Sequence, residues 1–93
     1  MREIERTTRF RRDYKREIRG RHGATLDASL LAVLHALVID EPLAERHRDH
    51  PLSGDWAGFR DCHIGPDLVL IYEKPDETTL RLVRIGSHSE LGL

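Results

Sequence analysis

The chain has 93 residues, with 15 Lys and Arg against 16 Asp and Glu, six His and one Cys. This length predicts one small domain, the 39 % hydrophobic and 33 % charged residues argue against general disorder, and the single cysteine excludes a disulfide framework or a cysteine-only zinc cluster. The formal net charge of −1 counts against a nucleic-acid partner.

The amino-terminal segment, residues 1–20, alternates charged with isolated apolar side chains and lacks the apolar region of a signal peptide. The longest apolar stretch, residues 30–39, is interrupted by His35. A membrane span needs about 20 apolar residues. We therefore expect a cytoplasmic protein without a membrane partner.

A short edge strand is predicted at residues 2–6, and a helix follows it, capped by Thr7 or Thr8. Apolar side chains recur at every fourth position of this helix as a narrow stripe: Phe10, Tyr14 and Ile18. The opposite side carries bases: Arg9, Arg11, Arg12, Lys15, Arg16 and Arg19. Gly20 and Gly23 are expected to end the helix.

The basic helix makes the charge distribution uneven. Residues 1–21 hold nine bases and four acids, a net of +5, whereas residues 22–93 hold six bases and twelve acids, a net of −6. The basic segment is either a solvated helix face or a surface that contacts phosphates, and composition does not separate the two. Nucleic acid therefore stays open as a partner.

A second helix is predicted to begin at Thr25 or Asp27 and to run to about Ile39, where residues 40–42 stop it. Its wide apolar face is expected to pack against a sheet: Leu26, Leu30, Leu34, Leu37 and Val38. Residues 43–57, with Pro51, Gly54 and the lone Trp56, are expected to form a structured loop.

Three strands follow, at residues 58–64, 68–72 and 79–85, with a turn at residues 75–77 between the last two. The middle run is continuously apolar, which is typical of a strand buried on both sides. The predicted fold is α+β, in the order β-α-α-β-β-β: a small antiparallel sheet with two helices packed on one face. The other face is expected to be uncovered and available for a site.

Histidines and aspartates concentrate in this second half of the chain. Strand parity places Asp61 and His63 on one face, with Cys62 and Ile64 on the other. His50 lies in a loop beside a proline, and His88 follows the last predicted strand. The remaining histidines are interpreted as solvated or structural: His22, His35 and His47.

Such a cluster allows two chemistries. Imidazoles that titrate near neutrality can give and take protons, while arginines hold a phosphate, as RNA cleavage through the 2′-hydroxyl requires. The arginines available for this are Arg60, Arg81 and Arg84. Zinc or manganese binding is the weaker alternative, because no closely spaced ligand pair is present. Nucleophilic catalysis is disfavoured, since no Gly-x-Ser-x-Gly elbow occurs and Cys62 is assigned to the core.

One run of 24 residues is the most specific feature: Asp49-His50-Pro51-Leu52-x-Gly54-x-Trp56-x-Gly58-Phe59-Arg60-Asp61-x-His63-x-x-Pro66-Asp67-Leu68-x-Leu70-Ile71-Tyr72. It closely resembles the YafQ-type branch of the RelE/ParE toxin superfamily, and the resemblance continues through Arg84-x-Gly86-x-His88. With the two helices in matching positions, the resemblance covers nearly the whole chain.

The resemblance implies a toxin of a bacterial type II toxin–antitoxin pair, with a microbial-ribonuclease-like fold. Such toxins are endoribonucleases that cut messenger RNA in the ribosomal A site without a metal or other cofactor. The implied partners are a cognate antitoxin of the DinJ type, the ribosome and mRNA. Operator DNA is expected as a partner only through the antitoxin complex.

By motif position, the resemblance implies four catalytic residues: His50, His63, Asp67 and His88. Of these, His50 and His88 are the expected proton-transfer pair. Asp61 matches an acidic position beside them, and Arg84 matches a phosphate-contacting arginine. The expected RNA-contacting set also includes Arg60, Arg12 and Arg16.

The carboxyl end departs from the family pattern. A family member carries an aromatic there that can stack on a base, whereas this chain ends Leu91-Gly92-Leu93. Base stacking contributes about 1–3 kcal/mol to single-strand recognition. The alternative function is therefore a catalytically impaired binding module that acts through an antitoxin or a DNA-regulatory complex. Gyrase inhibition, known in other branches, needs no histidine cluster and is disfavoured.

Overall fold

Five strands form one mixed sheet with the strand order β1-β5-β4-β3-β2, in a computed structural model that describes all 93 residues. The elements are β1 (Glu3–Arg6), α1 (Thr8–Ile18), α2 (Gly23–Val38), β2 (His50–Pro51), β3 (Arg60–Gly65), β4 (Leu68–Asp76), β5 (Thr79–Gly86) and α3 (His88–Leu91). The predicted order β-α-α-β-β-β is confirmed. Two elements, β2 and α3, have no counterpart among the predicted ones.

The sheet was predicted to be antiparallel throughout, but it is mixed. β2, β3, β4 and β5 pair antiparallel, but β1 pairs parallel with β5. The chain between β1 and β5 is long and includes both large helices, so no hairpin turn dictates the direction of this pair. β1 is an edge strand, as predicted.

Thr7, one of the two predicted caps, is the N-cap residue of α1. Its hydroxyl accepts a hydrogen bond from the N–H of Phe10 at 3.0 Å and donates one to the carbonyl of Val83 at 2.8 Å. The cap therefore also ties the start of α1 to β5.

The two large helices meet in a tight turn. α1 ends at Ile18, and Gly23 begins α2 instead of ending α1, so α2 starts earlier than predicted. A Cβ atom on Gly23 would lie 2.1 Å from the carbonyl oxygen of Ile18. Only glycine allows this close approach.

The main core lies between the helices and one face of the sheet. α2 contributes Leu26, Leu30, Val33 and Leu37, and Phe10 of α1 joins them. The facing sheet residues are Cys62, Ile64, Leu68, Leu70, Tyr72, Leu80, Leu82 and Ile85. The predicted apolar face of α2 and the core position of Cys62 are confirmed.

The opposite face of the sheet is partly covered, contrary to the prediction. Val69, Ile71 and Leu91 form a second buried cluster there. Residues packed against this cluster are Leu52, Trp56, Phe59 and Val83. α3 and the loop before β3 supply the cover, because β4 is apolar on both faces and its second face must also leave water.

The β4–β5 hairpin turns later than predicted. β4 continues through Asp76, and the turn lies at Glu77 and Thr78. The Asp76 carboxylate accepts the backbone N–H of Thr78 at 2.9 Å, which stabilises this tighter turn.

None of the helices is long and apolar enough to cross a membrane.

Leu70→Ala tests the assignment of β4 to the centre of the core. Leu70 is fully buried, so we expect its truncation to lower the free energy of unfolding by about 2–5 kcal/mol. Leu31→Ala is the matched control, because Leu31 is 68 % exposed on α2 and its truncation should cost about 0.5 kcal/mol or less. Urea unfolding measures both, and equal losses would contradict the assignment.

Candidate active site

Strand pairing brings the predicted residues of separate segments into one row. His50 of β2 pairs with Asp61 of β3, Asp61 with Ile71 of β4, and Ile71 with Arg84 of β5. Directly paired residues point to the same face of a sheet. The row therefore crosses the face opposite the main helices, where parity also places His63.

Asp61 is the buried centre of this group. Its side chain is only 4 % exposed, and its Oδ1 has no hydrogen-bond partner although the Nδ1 of His50 lies 3.3 Å away. Burial raises the pKa of Asp61, and the nearby His50, His63 and His88 oppose the rise without cancelling it. A carboxyl group that retains its proton more readily than usual thus lies beneath three imidazoles.

Asp67 orients His88. Asp67 lies in the β3–β4 turn with a φ of 50°, and its Oδ1 accepts the backbone N–H of His88 at 3.0 Å and its ring Nδ1–H at 2.7 Å. Both hydrogen bonds lower the pKa of Asp67. The contact occupies Nδ1 and leaves Nε2 as the ring atom available to a substrate.

His63 packs against His88. Their ring centroids are 5.1 Å apart, with the planes at 66°. Burial and the adjacent His88 lower the pKa of His63, so its imidazole is neutral at physiological pH. His47, which we expected to be solvated, instead donates its Nδ1–H to the His63 carbonyl at 2.7 Å and holds the preceding loop against β3.

His50 is half exposed and is fixed at one nitrogen. Its Nδ1–H donates to the carbonyl of Arg48 at 2.6 Å, and Arg48 adopts a φ of 47° to make the turn into β2. As with His88, Nε2 is left for a substrate.

The histidines border a cleft of about 540 Å³. Its lining includes His50, Asp61 and His88, together with Trp56 and residues 91–93. The indole N–H of Trp56 donates to the carbonyl of Leu91 at 3.1 Å, which fastens α3 to the loop. The cleft therefore has an aromatic side chain in its lining, that of Trp56.

The predicted arginines separate into different places. Arg84 shares the row of the site, but its guanidinium is paired with Asp13 of α1 at 2.6 Å. Arg60 lies on the opposite face, because it alternates with Asp61, and it contacts Asp49 and the hydroxyl of Tyr72 at 3.3 Å each. Arg60 thus lies apart from the histidines, and its contact with RNA stays a prediction.

The other expected bases also differ in placement. Arg12 is exposed on α1. Arg16 is engaged with Asp13, Glu17 and Glu90. Arg81, between β1 and β4, is paired with Glu5 at 2.7 Å and Glu73 at 2.5 Å.

Helix α3 supplies His88, and its signal is present in the sequence. Ser87 and Glu90 form a capping box, in which the Ser87 hydroxyl accepts the Glu90 N–H at 3.2 Å and Glu90 accepts the Ser87 N–H at 3.0 Å. The Ser-x-x-Glu spacing predicts such a helix start.

Cys62 is fully buried, and burial raises the pKa of its thiol well above the usual range, as expected of an inert core residue.

Residues 2–92 match the family described as "Bacterial toxin of type II toxin-antitoxin system, YafQ". The mRNA interferase toxin YafQ of Escherichia coli K12 is 36 % identical over 90 residues, which cover 95 % of this chain and 97 % of that protein. The chain belongs to the YafQ family of type II toxins.

Solved structures of bacterial toxins share the fold. A copper-bound mutant toxin from Helicobacter pylori matches with a TM-score of 0.87 and 37 % identity over 98 % of this chain and 99 % of that one. The toxin chain of the Escherichia coli DinJ–YafQ toxin–antitoxin complex matches with a TM-score of 0.79 and 33 % identity, covering 97 % and 96 % of the two chains.

The residues of this chain do not fit a bound metal as they are arranged. No group of three or more His, Cys, Asp or Glu side chains is placed to hold an ion. His50 and His88 each use Nδ1 in a hydrogen bond within the protein, to Arg48 and Asp67. We therefore derive no step through a metal.

Asp61→Asn should raise the stability of the fold at pH 8 and have less effect at pH 4. Because burial raises the pKa of Asp61, its contribution to stability is present at low pH and is lost as the pH rises through the folded-state pKa. The neutral asparagine avoids that loss.

Urea unfolding midpoints at the two pH values measure the change. Asp55→Asn, at an exposed carboxylate of the neighbouring turn, is the matched control and should leave the midpoint unaltered. A gain from Asp61→Asn at pH 4 as large as that at pH 8 would contradict the buried, proton-retaining state of Asp61.

Proposed function

We propose that this YafQ-family toxin is a ribosome-dependent endoribonuclease that cleaves mRNA in the A site by attack of the 2′-hydroxyl, without a metal. The observation that carries the proposal is the group of His50, His63 and His88 around the buried Asp61, on the sheet face opposite the two large helices. The mRNA interferase name of the Escherichia coli relative supports the same activity.

The two exposed histidines are suited to proton transfer. His50 and His88 both border the cleft, and each presents Nε2 because Nδ1 is held by a fixed acceptor. Two imidazoles in opposite protonation states supply the base and the acid that the reaction needs. Asp67 keeps His88 in the required tautomer, because its Oδ1 accepts the ring Nδ1–H.

The reaction balances with these groups. The base takes the 2′-hydroxyl proton as the 2′-oxygen forms a bond to phosphorus. The bond between phosphorus and the 5′-oxygen then breaks, and the acid gives that oxygen a proton. The products are a 2′,3′-cyclic phosphate and a 5′-hydroxyl.

The inner pair of the site acts differently. The lowered pKa of His63 keeps its ring neutral, so it orients RNA by hydrogen bonding while its neighbours change charge. Burial raises the pKa of Asp61, which favours its neutral form more than in an exposed aspartate. Arg84 in the same row supplies positive charge for the negatively charged phosphate.

The proposed partner is an antitoxin, as in the DinJ–YafQ complex. An apolar groove of about 710 Å³ between β1, α1 and α2 fits an amphipathic segment of it. Ile4 and Leu31 are exposed in the groove, and the bases Arg6, Arg11 and Lys15 line it. Charge complementarity therefore favours an acidic amphipathic segment as the occupant.

His50→Ala and His88→Ala should each lower the rate of mRNA cleavage by about 10²–10⁴-fold, the usual contribution of a general acid or base. The measurement is cleavage of a defined message on programmed ribosomes. His35→Ala, on the exposed face of α2, should cut at the wild-type rate.

Wild-type rates in both His50→Ala and His88→Ala would refute the site assignment. An intact message with the wild-type protein, which still bound its antitoxin, would favour the binding-module alternative.

Arg11→Glu with Lys15→Glu should slow association with the cognate antitoxin, because rim charges act mainly on encounter. The defect should shrink at high salt, where exposed charges are screened. Surface plasmon resonance measures the association rate at low and at high salt. The control is Arg46→Glu, at an exposed base outside the groove, which should associate as the wild type does. Unaltered association of the double variant would exclude the groove as the docking surface.

A further inference from the structure

A second buried carboxylate lies outside the histidine cluster. Asp13 of α1 is 3 % exposed, and its two oxygens accept four hydrogen bonds. The donors are Nε and Nη2 of Arg84 at 2.6 and 3.1 Å, Nη1 of Arg16 at 3.1 Å and the N–H of Ile85 at 3.2 Å. Burial raises the pKa of Asp13, but these hydrogen bonds outweigh it and lower the pKa, so the group is a charged carboxylate at neutral pH.

This contact fixes the orientation of Arg84. Asp13 occupies two of its three guanidinium nitrogens, whereas Nη1 has no hydrogen bond within the protein and is not buried. Strand spacing of about 4.8 Å puts the backbone of Arg84 about 10 Å from that of Asp61 in the same row. One free donor is thus held at the β5 edge of the histidine face.

The pairing also explains why the guanidinium stays at this edge. The Arg84 side chain is only 12 % exposed, so an unpaired guanidinium here would be costly. Its partner is carried by the helix, 71 positions earlier in the chain. Arg16 adds to the same contact by donating Nη2 to the Ile85 carbonyl at 3.1 Å, which secures the end of β5 against α1.

We propose that Asp13 is a positioning residue of the ribonuclease, which holds Arg84 so that Nη1 meets the charge that develops on the scissile phosphate. The inference rests on the proposed function. It assigns to the basic helix a role inside the enzyme, carried by its single buried acid, in addition to any contact of its exposed bases with RNA.

The test is a double-mutant cycle on single-turnover cleavage of a defined message by programmed ribosomes. Asp13→Asn should lower the maximal rate by about 100-fold, the scale expected for a displaced catalytic group, with little change in the ribosome concentration at half-maximal rate. Arg84→Gln should lower the rate at least as much. In the Arg84→Gln background, Asp13→Asn should have no further effect, because Asp13 acts through Arg84.

Arg84→Lys covers the case in which Asp13→Asn does not fold. Lysine can pair with Asp13, but its donors all lie on one nitrogen, so none is held at the separate position of Nη1. This variant should keep the wild-type melting temperature and lose the same factor in rate. Asp76→Asn, at an exposed carboxylate in the distant hairpin, should cleave as wild type.

Independent, multiplying rate losses for Asp13→Asn and Arg84→Gln, or full activity of Arg84→Lys, would overturn the positioning role while leaving the ribonuclease proposal intact. Failure of the wild-type protein to cleave would overturn the proposed function and this inference together.

Discussion

The alternation of side chains along β3 is the constraint on which the site depends. Cys62 and Ile64 point into the main core, and Asp61 and His63 consequently point away from it. A slip of one residue would exchange the two sets, burying a histidine and exposing core, which makes the register energetically well defined. β4 reinforces this register because it is buried on both faces and pairs on both edges.

The second apolar cluster gives the histidine face its chemical character. The floor of the site is apolar and excludes water, since it consists of Val69, Ile71 and Leu91. Asp61 therefore loses solvation without gaining a hydrogen bond for its Oδ1. Such a carboxyl group costs stability, in keeping with the strain that functional sites often retain. Helix α3 has a double role here, because it contributes Leu91 to the floor and His88 to the rim.

Local periodicity was enough to predict the two large helices, the face of α2 that packs on the sheet and the separation of Asp61 from Cys62. The patterns of helices and strands along the whole chain anticipated the order of the elements. The pairing of Arg84 with Asp13 was beyond reach, because nothing local relates residues 71 positions apart. Direct alternation with Asp61 was sufficient to exclude Arg60 from the histidine face, whereas the Ser87–Glu90 capping signal was legible but short.

The central claim is that histidines and an arginine on one sheet face cleave RNA by internal attack of the 2′-hydroxyl. Identification of the termini that the wild-type toxin leaves on a defined message, cut on programmed ribosomes, tests it most directly. We expect a 2′,3′-cyclic phosphate, or the 3′-phosphate that forms on its hydrolysis, and a 5′-hydroxyl on the downstream fragment. A 3′-hydroxyl with a 5′-phosphate would contradict it.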